Sequence, residues 1–137
     1  MIIGLGIDSV AVERFKAWNS YSFKQLKRVF SASEIEYCSA NSLLSAQRFA
    51  VRFAAREALF KAISQALPTH SIPFLTLCRA TTIKVVAKAP VITVETGLLS
   101  LYGVPLGSCD PSYMNIVCSL SHTDQIATAI VILEKTA

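Results

Sequence analysis

The sequence predicts an α+β fold in which one long central helix packs on a mainly antiparallel sheet. Three observations carry this expectation. Helical patterns crowd residues 23–66, β-rich patterns crowd residues 81–133, and one strand-like run stands alone at the start, Ile2 to Ile7. Helices grouped first and strands grouped later belong to α+β architecture rather than to alternating βαβ units.

Taken in order, residues 2–7 alternate Ile or Leu with Gly and read as a buried strand. Val10 to about Trp18 is expected to open a first helix. Phe23 to Phe30 sets Lys24, Lys27 and Arg28 around Phe23, Leu26 and Val29, the pattern of a basic amphipathic helix. Ser31-Ala-Ser-Glu34 is a capping-box pattern, and a short helix to about Cys38 follows. Ser45 to Ala66 has no internal Gly or Pro and is the long helix; Pro68 and Pro73 end it and open a loop. Thr81 to Lys88 and Val91 to Glu95, divided by Pro90, predict a hairpin. Leu98 to Tyr102 is expected to be a helical turn or two, and residues 103–112 a loop. Asn115 to Ser121 and Ile126 to Leu133 are the last strands.

With 137 residues the chain is read as one domain, residues 1–137, large enough for a real core. Apolar residues make up 53% and mean hydropathy is +0.48. A membrane span needs about 20 consecutive apolar residues, and Ile126 to Leu133 is far shorter. The apolar excess is therefore expected in a core or a subunit interface. Nothing at the N-terminus reads as a signal peptide, because Asp8, Glu13 and Arg14 interrupt it early. Cys38, Cys78, Cys109 and Cys118 stand far apart without zinc spacing, so they read as buried filler in a reducing cytoplasm. A formal charge of +4 and a pI near 9.0 favour an acidic partner.

A few residues carry chemistry. Asp8 closes the first apolar run; it is either a cap for the following helix or a ligand for a hard cation. Glu57 and Lys61 stand four apart on the long helix; they are either a solvated pair or the edge of a cleft. At about 100° per residue they fall on the flank of the stripe set by Phe49, Phe53 and Phe60. Arg52 and Arg56 add cations to the same helix. His122 follows Ser119-Leu-Ser121 in a turn, where an imidazole is either structural or a phosphate donor. A carboxylate on a strand with a carboxylate and an ammonium on a helix points to magnesium-assisted chemistry on a phosphate ester.

Together these segments resemble the holo-acyl-carrier-protein synthases, the small group of 4′-phosphopantetheinyl transferases. The likeness runs through Gly4-Leu-Gly-Ile-Asp8 with Arg14, Val29-Phe-Ser-Ala-Ser-Glu34, Arg52-Phe-Ala-Ala-Arg-Glu-Ala-Leu-Phe-Lys61 and Ser119-Leu-Ser-His122. The resemblance implies the 4′-phosphopantetheinyl transferase fold. It also implies transfer of phosphopantetheine from coenzyme A to a serine of apo acyl carrier protein, releasing adenosine 3′,5′-bisphosphate. It makes Asp8 and Glu57 magnesium ligands, with Glu57 and Lys61 the catalytic pair. Arg52 and His122 would line the coenzyme A site. Arg14, with Arg28 of the basic segment, would meet the acidic carrier. A homotrimer with sites between subunits is implied as well.

The chain departs from the family pattern in four places. Arg56 stands where lysine is usual, and Ser64-Gln-Ala-Leu-Pro-Thr-His70 replaces a Gly-Thr-Gly turn. Ala87-Lys-Ala-Pro90 replaces a Gly-Lys-Pro hairpin, and residues 97–114 have no counterpart. Two other readings compete. A non-catalytic trimeric module that docks an acidic protein would not need Asp8, Glu57 and Lys61 together. A nucleic-acid-binding domain would interleave aromatic and basic residues on its strands, which this chain does not do. The expectation is thus no nucleic acid and no membrane.

Overall fold

The computed structural model describes residues 1–103 and 114–136. Its first strand, β1 (Ile2–Ala11), runs well past the expected end at Ile7. It is also not buried on both faces. Gly4, Gly6 and Val10 turn inward, whereas Leu5 and Ile7 are 49% and 58% exposed. The expected helix at Val10 is instead two short 3₁₀ turns, Val12–Phe15 and Trp18–Ser20. Val12 and Phe15 bury themselves, and the ring of Trp18 packs on Phe15, Phe30, Phe49 and Phe53. This aromatic cluster, rather than helical periodicity, decides the local path.

The basic segment forms only one helical turn, α1 (Phe23–Leu26), capped by Ser22 with Gln25. The Ser31 capping box is present and starts α2 (Ala32–Ser39). The long helix α3 (Ser45–Ala66) has the bounds read from the sequence. Its middle, from Phe49 to Leu59, is almost wholly buried, so it is the axis of the molecule and not a surface helix. A helix unexpected from sequence, α4 (Phe74–Ala80), follows Pro73 directly. Proline is well tolerated at a helix start, where its missing N–H has no partner to lose. Phe74 packs on Phe53 and Phe60, which draws α4 against α3.

The strands form two sheets. β2 (Thr81–Val86) and β3 (Ala89–Val94) make an antiparallel hairpin, with Pro90 inside β3 opposite Val85. Its two loop residues, Ala87 and Lys88, both have positive φ, 49° and 68°. That is the twist of a two-residue primed turn, which Asn-Gly would fill with less strain. After the short α5 (Thr96–Ser100), β4 (Met114–His122) and β5 (Ile126–Lys135) complete a three-stranded antiparallel sheet in the order β1-β5-β4. Most of the expected loop at 103–112 lies outside the described residues. The inner face of the sheet, with Ala127, Ala129, Val131 and Leu133, lies against α3.

Among the described residues no helix is long and apolar enough to cross a membrane. Cys38 and Cys78 are buried, and burial pushes both thiols up to about 12. Cys118 is partly buried and raised for the same reason, so these three behave as filler. Cys109 lies outside the described residues.

Candidate active site

Gly4 and Gly6 face α3 from β1, and a Cβ on either would run into helix backbone. Gly4 lies against the carbonyl of Ala62 and Gly6 against that of Ala58. Glycines on the strand and alanines on the helix let the two backbones approach closely. Asp8 is the next inward position of β1, in register with Ala129 of β5. It does not cap a helix: the first 3₁₀ turn begins four residues later and has no side-chain cap. The close strand–helix contact instead presents Asp8 to the turn of α3 that carries Glu57 and Lys61.

Lys61 Nζ donates to Asp8 Oδ1 at 2.9 Å and to the Ile7 carbonyl at 3.0 Å. The ion pair is therefore between helix and strand, not the i, i+4 pair with Glu57. Asp8 Oδ2 is buried and has no hydrogen-bond partner. Glu57 is half-buried and makes no hydrogen bond or ion pair among the described residues. Burial first, then the negative charge of Asp8, raises the Glu57 carboxyl above its ordinary value, against Lys61 and Arg14. Two carboxylates in mutual repulsion, one with an orphaned oxygen, fit a hard cation such as magnesium. Such an ion takes one or two protein carboxylates and completes its shell with water and phosphate oxygens. Among the described residues no set of three His, Cys, Asp or Glu side chains converges, which this mode of binding does not require.

The other expected site residues stand apart from this centre in different ways. Arg14 lies on its rim: its guanidinium is 5.2 Å from the Phe53 ring centroid, and its charge bears on Glu57. Arg28 is exposed in the turn after α1, with no ion pair among the described residues. Arg52 sits five residues before Glu57 and nine before Lys61, so it projects about 140° and about 180° away around the helix. Its side chain is 9% exposed, 3.9 Å from Glu34, and its guanidinium lies 4.7 Å from the Tyr37 ring centroid. It lines a separate cavity of about 400 Å³ with Ser33, Tyr37, Ile83, Lys84 and Val85. Arg52 Nε is buried there without a hydrogen-bond partner.

His122 ends β4, exposed, opposite Ala127, which in turn pairs with Val10. That places it two strands from Asp8 and two residues along, about 10 Å across and about 7 Å lengthwise. Ser119 and Ser121 alternate with His122, so the two hydroxyls and the imidazole occupy opposite faces of the sheet.

Sequence reading missed the role of Arg56. Its side chain is 0% exposed, and its two terminal nitrogens donate to both Glu34 carboxylate oxygens at 2.9 and 2.6 Å. It also bonds the carbonyls of Thr81 at 2.7 Å and Cys78 at 3.4 Å, and packs on Phe30. Burial alone would raise the Glu34 carboxyl; the hydrogen bond and charge of Arg56, with Ser31, overcome this and hold it below its ordinary value. The capping-box glutamate was the available signal, but such a residue is normally exposed.

Comparison with known proteins agrees with this architecture. The model of the 4′-phosphopantetheinyl transferase superfamily matches residues 4–100. The holo-[acyl-carrier-protein] synthase of Geotalea daltonii is 33% identical over 98% of this chain and 100% of its own length. That of Treponema denticola is 35% identical over 98% of this chain and 99% of its own. The crystal structure of the Helicobacter pylori holo-[acyl-carrier-protein] synthase in complex with coenzyme A has a TM-score of 0.65 at 28% identity. It covers 95% of this chain and 99% of that one. By this family match and these identities, the chain belongs to the holo-acyl-carrier-protein synthases of the 4′-phosphopantetheinyl transferase superfamily.

Proposed function

We propose that this domain, residues 1–137, transfers 4′-phosphopantetheine from coenzyme A to a serine of apo acyl carrier protein with magnesium. Adenosine 3′,5′-bisphosphate is released, and the reaction serves fatty acid biosynthesis in the cytoplasm. One observation carries the reading: the buried, unpartnered Asp8 Oδ2 beside Glu57, with Lys61 bonded to the other oxygen of Asp8. Asp8 and Glu57 would hold the ion. Magnesium, when bound, supplies Lewis-acid polarisation of the phosphoryl group. Lys61, with its side chain half exposed, swings from Asp8 toward the phosphate and offsets charge as the P–O bond breaks. Glu57, raised by burial, accepts the proton of the attacking serine. Arg14 and Arg28 meet the acidic carrier at the rim.

Coenzyme A is proposed to touch Arg52 and His122 as well, and one chain does not bring these to the carboxylates. This separation supports a homotrimer with sites between subunits. So does the outer face of the three-stranded sheet, where Leu5, Ile7, Val117, Ile126, Ile130 and Ile132 are exposed or only partly covered. An apolar face of this kind marks a contact surface.

The deciding experiment is mass spectrometry of apo carrier protein incubated with this chain, coenzyme A and magnesium. A gain of one phosphopantetheine is expected, and an unchanged carrier would refute the reading. Sedimentation at micromolar concentration is expected to give a trimer. Co-refolding Asp8→Asn with Glu57→Gln chains is expected not to restore activity, because one chain supplies both carboxylates.

A further inference from the structure

We propose that Arg56 is a positioning residue: its grip on Glu34, Cys78 and Thr81 fixes the rotation of α3 about its own axis and so sets Glu57 opposite Asp8. The inference rests on the metal-site reading above and adds a residue to it.

The surface on which α3 lies against β1 is smooth. Gly4 and Gly6 meet the backbone of Ala58 and Ala62, with no side chain to interlock. At the helix start Leu44 makes no side-chain cap, and the ties of the first turn, Gln47 Nε2 to Asp124 Oδ1 at 2.9 Å and Arg48 to the Tyr37 carbonyl at 2.8 Å, lie well before Glu57. The aromatic rings of Phe53 and Phe60 pack closely, but dispersion contacts have little directional preference. Near Glu57 directional ties are few. Lys61 bonds Asp8 and the Ile7 carbonyl, and Gln65 Oε1 accepts from the Leu5 N–H at 2.7 Å, both on the β1 side. Arg56 is one residue from Glu57, about 100° around the helix in the opposite sense. Its bonds reach α2 through Glu34, the last turn of α4 through Cys78 and the start of β2 through Thr81. Glu57 thus stands between ties on two flanks, and loss of either loosens the rotational setting of the helix at Glu57.

Small rolls matter. A side-chain tip lies about 5–6 Å from a helix axis. A roll of about 5° therefore moves the Glu57 carboxylate by about 0.5 Å, the tolerance of a working site. Arginine is suited to the task because its planar fork engages both carboxylate oxygens at once; lysine keeps the charge but not the orientation.

The test measures Mn²⁺ binding by electron paramagnetic resonance, alongside thermal unfolding, in the full chain. Asp8→Asn tests the metal site itself and is expected to abolish tight binding. Arg56→Lys and Glu34→Gln are expected to weaken Mn²⁺ binding about 10-fold or more, the usual cost of disturbing a residue behind a metal ligand. Ile92→Val, in the core of the hairpin, is expected to bind as wild type. Glu34→Gln carries the test if Arg56→Lys does not fold, because glutamine preserves the capping box. Folded Arg56→Lys and Glu34→Gln proteins that bind Mn²⁺ within about twofold of wild type would overturn the proposal and leave Arg56 a purely structural clamp. Wild-type binding indifferent to Asp8→Asn would instead overturn the metal-site reading.

Discussion

Two carboxylate–cation pairs flank α3, and they are built to opposite specifications. Glu34–Arg56 is closed: both side chains are at most 1% exposed, both carboxylate oxygens are engaged, and neutral carbonyls take further arginine protons. Asp8–Lys61 is open: the side chains are 15% and 50% exposed, and one carboxylate oxygen is left without a partner. A buried ion pair is tolerable only when its remaining hydrogen-bonding capacity is met. An unmet oxygen beside a second carboxylate costs stability unless a ligand arrives. On the proposed function, the closed pair serves the fold and the setting of Glu57 within it, and the open pair serves chemistry.

The sharpest way to break this contrast is to cut the closed pair. Arg56→Met should lower unfolding free energy by about 3–5 kcal/mol in urea titrations, since it strands a buried carboxylate. A loss under about 1 kcal/mol would place Arg56–Glu34 in the same class as a surface pair. The reciprocal change is Asp8→Asn. It should reduce the turnover rate about 10²–10³-fold, or about 3–4 kcal/mol of transition-state stabilisation. Its unfolding free energy should stay within about 1 kcal/mol of wild type, because the Lys61 partner is half exposed. Near-normal turnover would show that the open pair is not the reaction centre.

Gly6→Ala tests what brings the open pair together. The added methyl meets the Ala58 backbone, so strand and helix must separate. The expected cost is about 1–3 kcal/mol of stability from overpacking, with a loss of activity as Asp8 withdraws. Full activity would mean that Asp8 finds Glu57 and Lys61 without this contact.

Acid separates the two pairs without mutation. Glu34 is held below its ordinary value of 4.5, so its stabilisation is complete above that value and is lost only as pH falls through the lower folded value. Glu57 is raised above 4.5, so its anionic form is lost sooner as pH falls. Its ionisation also weighs against the fold as pH rises through the raised value. Between the two values the protein should stay folded while its magnesium requirement rises steeply. Circular dichroism and activity at graded magnesium read this window; coincident loss of both would merge the two classes.

The smallest effect concerns the rim. Arg28→Glu should raise KM for the carrier a few-fold, by about 1 kcal/mol or less, and leave KM for coenzyme A unchanged. The effect should shrink as salt shortens the Debye length from about 10 Å at 0.1 M to about 3 Å at 1 M.

Much of the helical scaffold was legible in the chain. The span of α3, the Ser31 capping box and the antiparallel strands of the second half follow from local rules: no Gly or Pro within α3, an N-cap hydroxyl with a glutamate at N3, β-rich runs between turn residues. Local rules failed where long-range contact decided. Residues 12–20 form 3₁₀ turns because Phe15 and Trp18 join an aromatic cluster drawn from α3 and Phe30. Residues 74–80 form a helix because Phe74 meets Phe53 and Phe60.

The site divides along the same line. The sequence by itself determined which groups were available and on which elements: Asp8 after two glycines, Glu57 and Lys61 one turn apart, arginines along the helix. Spacing within an element is set by helix and strand periods, so it can be read from residues alone. Only the tertiary structure decided which charges meet. It joined Lys61 to Asp8 rather than to Glu57, set Arg52 beside Glu34, and buried Arg56 on Glu34. Pairing across elements depends on how closely two backbones can approach and on which way a helix is rolled. Those quantities arise from packing, and no local pattern encodes them.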